Sequence, residues 1–563
     1  MELLWLMAAG VVFLVIYYQI DQKRRRALWI EQLRESWGKV PEQEYEEEDL
    51  RRIARYYEMC RNGEYSLDDI TWNDLDLDEI FMLLNHTHSS VGEEALYRLL
   101  RTPVSDEAVL KERDRLASLF AQDEEQRLSL EKSFSSIGKR GRQALCDYIS
   151  NLSKQPLRSN GVHYLGAAAL AASAVLIAFA APVGIAALIA VLAFQIISYY
   201  QQKGQVETHF ASVAQVVRLT VYGREIASLK EDGLAAYLES LREALNKLEP
   251  IRKKSRLIVM GSAMGGSPLD VLADYVKMLL HIDMIAYNQI VALAKDREQA
   301  IWDMVRVLGE MECGLAIASF RVCLGQWSRP VFCGTEEGLG LFGEELYHPL
   351  IDRPVPNTVC AGRSQLITGS NASGKSTFLK TTALGAVLAQ TVYTVPGTSY
   401  RAPFYQIYTS MALRDNLIGG ESYYMAEIRS LKRILDRGSD ELPVLCFVDE
   451  VLRGTNTVER IAASAQILKS MTRQNILCFA ATHDGELTWL LEDCYDNSHF
   501  EEEVTDGDVL FSYRLLPGRA QSRNALKLLG LMGYDRQVLE DAEAMAKRFL
   551  ETGIWTMNKA EQK

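Results

Sequence analysis

The residues with the clearest chemistry are Gly369-Ser370-Asn371-Ala372-Ser373-Gly374-Lys375-Ser376, which satisfy the spacing G-x-x-x-x-G-K-[ST]. Glycines at both ends let backbone N–H groups close around phosphate oxygens at the start of a helix. Lys375 would then reach the β- and γ-phosphates and Ser376 would give a hydroxyl to Mg²⁺, with Thr377 ending the nucleotide-binding run. A second apolar run, Val444 to Val448, ends in Asp449-Glu450. There Asp449 is placed to hold the Mg²⁺ shell, and Glu450 to orient and deprotonate an attacking water. A third run, Ile476 to Ala480, leads into Ala481-Thr482-His483-Asp484. A histidine at the C-terminal end of a strand faces the crevice in which α/β sheets bind ligands. His483 is expected to sense the γ-phosphate. Lys375, Glu450 and His483 are thus the expected catalytic set, and Ser376 and Asp449 the expected Mg²⁺ ligands.

Such residues need strands that end together. Ser364–Thr368 reads as the strand before the glycine loop and Thr377–Ala389 as the helix after it. From about residue 340 onward, short β-rich apolar runs alternate with helical segments, as in an α/β domain. Upstream, helical periodicity dominates at 107–132, 205–249 and 269–310, and 205–249 is expected to form one long helix. The fold class is therefore α plus α/β, a helical region followed by a P-loop NTPase domain.

The chain has 563 residues, 48% hydrophobic and 24% charged, and a net charge of −13. That is globular composition, which excludes a wholly disordered chain. The acidic balance argues against a nucleic-acid binder at the level of the whole chain. Nine cysteines are scattered without a C-x-x-C pair, so the spacing favours reduced thiols over a metal site or disulfide framework.

The mean hydropathy of −0.07 averages over two strongly apolar regions. Leu3 to Ile20 is free of charge and is followed by Arg24-Arg25-Arg26. Charge after the apolar stretch, not before it, favours a retained anchor with its basic end in the cytoplasm. Val162 to Tyr200 also lacks acidic and basic residues, and is about twice the ~20 residues that one spanning helix needs. Pro182-Val183-Gly184 near its middle reads as a turn between helices at 162–181 and 183–200, both of whose outer ends would be cytoplasmic. The expectation is three transmembrane helices in the cell membrane, with the remaining chain in the cytoplasm. The acidic run Glu42 to Asp49 reads as a solvated linker or helix face.

The motifs together resemble the ATPase of MutS-family mismatch-repair proteins. Thr368 to Thr377 (TGSNASGKST) resembles the family's T-G-P-N-M-x-G-K-S-T, Asp449 to Asn456 (DEVLRGTN) its D-E-[LI]-G-R-G-T-S, and Ala481 to Leu487 (ATHDGEL) its A-T-H-[YF]-x-E-L. Tyr347-His348-Pro349, Val395-Pro396, the run from Asp415 to Glu427, and Tyr513 to Gly518 follow the family pattern as well. A weaker likeness extends from Leu83 to Asp106. The resemblance implies an ABC-like, MutS-type P-loop domain that uses ATP and Mg²⁺. It also implies a homodimer in which the Gly420–Ser422 loop of one protomer completes the other's site. ATP binding would close the dimer and hydrolysis reopen it.

On this reading 1–26 is the anchor, 27–60 an acidic linker or helix and 61–161 a core-like helical segment. The hairpin is 162–201, the lever-like helices 202–335, the ATPase domain 336–553 and the tail 554–563. Ser370 stands where the pattern has proline, Leu452 where it has glycine, and the aliphatic Val355 near where an adenine-stacking aromatic is expected. The core-like region begins after about 60 residues, leaving no room ahead of it for the family's mismatch-reading domain. Phe500-Glu501-Glu502 spells that reader's F-x-E but lies inside the ATPase region. Two basic clusters, Lys139-Arg140-Arg142 and Arg252-Lys253-Lys254-Arg256, could touch phosphates but read more simply as juxtamembrane or solvated charge. Two functions remain open: a membrane-anchored ATPase that drives an association or signalling switch, and a membrane-tethered sensor of mismatched DNA.

Overall fold

Runs of aliphatic residues buried on both faces force the chain after residue 330 into stacked strands, and the helices between them cover the sheet. In the computed structural model the described residues are 17, 20–21, 23–25, 27–139, 143–230, 232–259, 275–370, 373–411, 423–438, 441–452, 456–473, 475–504, 509–520, 529, 533–553 and 555. They form two compact units, 1–64 with 81–101 and 112–323, and 65–80 with 102–111 and 324–563.

In the second unit the strands are β1 (Val331–Phe332), β2 (Leu341–Leu346), β3 (Asn357–Ala361), β4 (Gln365–Thr368), β5 (Ser399–Ala402), β6 (Gln406–Ser410), β7 (Val444–Asp449), β8 (Ile476–Ala481), β9 (Asp496–Val504) and β10 (Val509–Pro517). They make a small sheet of order β1-β5-β2-β3 and a large one of order β10-β9-β4-β8-β7-β6. Strands β6, β7, β8, β4 and β9 run parallel and β10 antiparallel. Every residue of β4, β7 and β8 is buried, the pattern of a parallel sheet covered on both faces.

The open edge of β6 is satisfied by the early segment 65–80. The Tyr65 hydroxyl donates to Ile407 O at 2.8 Å and accepts from Ile407 N at 2.5 Å. The Asp74 carboxylate accepts from Thr409 Oγ1 and Met411 N, and Asp68 pairs with Arg433 at 2.7 Å. An unpaired edge is thereby covered.

The first unit is helical. The hairpin is present but its break differs from expectation. One helix spans Gly161–Phe179 and the next Ala181–Ala227, with the break at Ala180 (φ −148°, ψ 76°). Pro182 starts the second helix instead of forming a turn, because a first-turn proline loses no intrahelical bond. The expected single helix over 205–249 is also corrected. Residues 205–227 continue the hairpin's second helix, Ser228 ends it, and a new helix runs Ala235–Val259. The Ser228 hydroxyl bonds back to Glu225 O at 2.6 Å, closing the last turn.

Two helices, Gly161–Phe179 and the stretch Ala181–Gly204, are long and apolar enough to cross a membrane by length and composition. Most of the expected anchor at 3–20 lies outside the described residues. At Gly166 a Cβ would meet Gln195 Oε1 at 2.4 Å, and at Gly184 Ile177 N at 2.4 Å, so glycine lets the two helices approach closely. At the hairpin base, His163 Nδ1 lies 2.8 Å from His281 Nδ1, and the Tyr199 hydroxyl donates to Asp283 at 2.7 Å.

Buried carboxylates organise the other helices. Glu312 accepts from the backbone of His88 (2.5 Å) and Ser89 (2.9 Å). Glu94 accepts from Leu145 N at 2.5 Å and Cys146 N at 3.4 Å, yet burial outweighs these bonds and pushes its carboxyl up to about 8. The folded-state value lies above the unfolded one of about 4.3, so stability falls as pH rises from about 4.3 to about 8. Glu94→Gln removes this component. Thermal unfolding of the variant should exceed wild type at pH 8 by more than about 4 °C, with the gap closing only as pH falls to about 4. A gap of equal size at both pH values would contradict the assignment.

Candidate functional site

Strands β4, β8 and β7 are adjacent and parallel, so the loops leaving their C-terminal ends meet at one edge of the sheet. From β4 the chain turns through Gly369 (φ +149°), where a Cβ would meet Phe500 O at 2.9 Å. It enters the helix Lys375–Val392 after Gly374 (φ +109°), where a Cβ would lie 3.3 Å from the Tyr513 ring. The first-turn N–H groups of that helix have no intrahelical acceptor and form an anion-binding end. Asn371 and Ala372 lie outside the described residues, while Ser373 is buried and its hydroxyl donates to Ser370 O at 2.9 Å.

The expected side chains converge. Lys375 is buried and its Nζ donates to Gly369 O (2.8 Å) and Ser370 O (2.7 Å). Ser376 Oγ donates to Asp449 Oδ2 at 2.5 Å, which brings two hard oxygen donors suited to Mg²⁺ together. Glu450 leaves β7 with φ +59°, its N–H bonded to Ala481 O at 2.9 Å. Its carboxylate lies 2.8 Å from His483 Nε2, and Lys375 Nζ lies 3.4 Å from the same nitrogen. Thr377 follows on the helix and lines the cavity beside the loop.

A further carboxylate, outside the nucleotide-site motifs, meets the glycine loop. Glu502, buried on β9, accepts from Ser370 Oγ at 2.7 Å. The serine that replaces the pattern's proline thus ties the loop to the neighbouring strand. Phe500 is buried and packs edge-on against Phe378, with ring centroids 5.9 Å apart, a core role. Gly420 and Ser422 lie outside the described residues. The helix that follows them, Tyr423–Leu435, places the buried Glu427 where its carboxylate accepts from Leu452 N, just after Glu450.

A cavity of about 370 Å³ opens beside the loop, lined among others by Leu346, His348, Val355, Phe378 and Tyr513. Burial, and then the nearby Lys380, lower the His348 imidazole to about 4, so it is neutral at pH 7. Val355 lines this cavity as the sequence position suggests, but the exposed aromatic ring there belongs to Tyr513. It sits at φ +53° in the irregular stretch of β10 between Phe511 and Leu515. Asn357 pins it, donating to Tyr513 O at 2.9 Å and accepting from Leu515 N at 2.7 Å. The signal was present in the run from Tyr513 to Gly518, although a bulge, and hence the ring's direction, cannot be read from spacing.

The family model for MutS domain V matches residues 365–550, the segment that carries this edge. Over this segment the chain is similar to MutS proteins. The DNA mismatch repair protein MutS of Thermus thermophilus is 31% identical over 262 residues, covering 45% of this chain and 31% of that protein. MutS 1 of Halobacterium salinarum is 33% identical over 269 residues, or 46% and 30%. MutS of Lactobacillus delbrueckii is 35% identical over 201 residues, or 35% and 23%. The chain therefore spans about a third or less of these MutS proteins.

Within the segment that matches MutS domain V, Tyr513 gives the cavity an aromatic face suited to a base. Tyr513→Ala should weaken binding of a fluorescent adenine nucleotide about tenfold, the order of one base–aromatic stack, while Tyr513→Phe leaves it unchanged. Equal affinity of all three proteins would contradict that placement.

Proposed function

We propose that this chain is a membrane-anchored, Mg²⁺-dependent ATPase whose nucleotide cycle drives a conformational switch. One observation carries the reading: Lys375, Ser376, Asp449, Glu450 and His483 meet at one strand edge, with Ser376 Oγ 2.5 Å from Asp449 and Glu450 2.8 Å from His483. The P-loop backbone and Lys375 hold the phosphates. Ser376 and Asp449 hold Mg²⁺, which when bound neutralises charge on the β- and γ-phosphate oxygens. Glu450 orients the water and takes its proton, while His483 fixes the Glu450 carboxylate and reports on the γ-phosphate. Two protomers form the complete unit, with the Ser422 loop of each closing the other's site.

Full-chain protein in detergent should hydrolyse ATP, and Glu450→Gln should lower kcat at least about 100-fold, the lower range for a general base. Glu450→Gln should still bind nucleotide, whereas Lys375→Ala should not. Wild type turning over no faster than either variant would contradict the ATPase reading.

The helices Gly161–Phe179 and Ala181–Gly204 support a multi-pass chain in the cell membrane. Together with the anchor at 3–20 they would make three spans, with the ATPase domain cytoplasmic. After carbonate washing the chain should remain in the membrane pellet, and its release into the supernatant without detergent would contradict the spans.

A second reading is ATP-dependent binding of mismatched DNA, favoured by the relatives that are named as DNA mismatch repair proteins. One residue of each basic cluster weighs against it, because Lys139 lies 3.8 Å from Glu93 and Arg252 bonds Glu249 at 2.8 Å. Anisotropy with matched and mismatched duplex decides between the readings: affinity that rises as salt falls and prefers the mismatch supports the second, and no binding at low salt excludes it.

A further inference from the structure

Two loops carry the groups that would act on water and phosphate. Glu450 to Leu452 follow β7 ahead of the helix Thr457–Met471, and residues 482–486 join β8 to the helix Leu487–Leu490. Each loop is held at its start by the sheet. Glu450 N bonds Ala481 O at 2.9 Å, and Thr482 N bonds Ile367 O at 3.0 Å. Beyond those points, His483 itself is a third exposed, and its imidazole meets the Glu450 carboxylate.

One residue further on, Asp484 is gripped from the other loop's helix. Arg460 Nη2 donates to Asp484 Oδ1 at 2.6 Å and Arg460 Nε to Asp484 Oδ2 at 3.0 Å. Two parallel bonds between planar groups fix orientation as well as distance. The pair is sheltered, with side-chain exposures of 25% and 16%, so it is screened less than a surface pair.

Both ends of the fork are anchored. Arg460 lies in the first turn of its helix, where Asn456 caps the N-terminus through Val458 N at 3.0 Å. One turn on, the buried Ser464 hydroxyl donates to Val451 O at 3.1 Å, tying the same helix back to the residue after Glu450. Asp484 N donates to Thr482 Oγ1 at 3.0 Å and Asp484 O accepts from Leu487 N at 3.2 Å. His483 therefore sits between two fixed points, Thr482 on the sheet and Asp484 on Arg460. The field of Glu450 also falls on Arg460 and helps to hold its guanidinium charged, after the dominant hydrogen bond to Asp484. At position 484 the family pattern has an aromatic residue, so the fork is a feature of this chain's own sequence.

We propose that Arg460 and Asp484 are positioning residues, a two-bond clamp that locks the His483 turn to the Glu450 loop so that histidine and carboxylate act as one unit. This rests on the ATPase reading above. Neither residue contacts the glycine loop, Lys375 or Ser376 through the clamp bonds. Loosening the clamp should therefore slow turnover and spare nucleotide binding.

The test uses the full chain in detergent, with steady-state ATP hydrolysis and equilibrium binding of a fluorescent ATP analogue. The proteins are wild type, Glu450→Gln, Arg460→Met, Asp484→Asn and the exchange variant Arg460→Asp with Asp484→Arg. Each single change should lower kcat about tenfold with KM and analogue affinity within about twofold of wild type, and the exchange should recover most of the loss, as expected for a directly coupled pair. Asp484→Asn keeps the volume of the side chain and is decisive if Arg460→Met does not fold. The clamp is overturned if Asp484→Asn keeps more than half of the wild-type kcat, if binding falls in step with kcat, or if the exchange variant is as slow as the singles. Wild type no faster than Glu450→Gln overturns the ATPase reading and the clamp together. An active wild type with unaffected single variants overturns the clamp alone.

Discussion

The site depends on three parallel strands lying side by side. Adjacent strands are about 4.8 Å apart, and the register pairs Leu366 with Ala480 and Val448 with Ala480 across β4, β8 and β7. The glycine loop, the Thr482–His483 turn and the Asp449–Glu450 step therefore leave the sheet at one level. No long-range contact has to be arranged separately for each side chain. The hydrophobic burial of these strands, complete at every position, holds the polar edge in place. Covering β6 with the segment 65–80 completes that support, since an exposed edge could pair with another chain.

The backbone at this edge is held in uncommon conformations that serve the side chains. Gly369 and Gly374 take φ values that an L-residue rarely adopts, and Glu450 and Tyr513 take positive φ despite their side chains. Each is over-determined by neighbours, Glu450 by Ala481 and Tyr513 by Asn357. Strain of this kind persists only where the surroundings enforce it, and it commonly marks functional sites. In the helical unit buried carboxyl groups are held in a similar way, as Glu312 and Glu94 lie where backbone N–H groups of neighbouring segments end on them.

Much of the ATPase-like unit was legible because its central strands are apolar runs that stop abruptly at polar residues. Gly369 to Ser376, Asp449-Glu450 and His483 each mark the end of such a run, so spacing alone predicted which groups would meet. What could not be read depends on distance in the chain or on backbone detail. Tyr513 reaches the cavity through a β-bulge, and Glu502 becomes a loop partner only because β9 lies next to β4. Arg460 and Asp484 lie 24 residues apart, and only the neighbouring ends of β7 and β8 bring them together. In the helical region, Pro182 was read as a turn when it starts a helix, and periodicity could not see the break at Ser228.

The central claim is that this edge holds ATP and Mg²⁺ in a hydrolytic geometry. A crystal or cryo-electron microscopy structure of Glu450→Gln with ATP and Mg²⁺ tests it most directly. The account predicts that Lys375 Nζ leaves the carbonyls of Gly369 and Ser370 for the phosphates, with Ser376 and Asp449 at the metal and the base against Tyr513. Nucleotide bound elsewhere, or Lys375 still on those two carbonyls at saturating ATP, would contradict it.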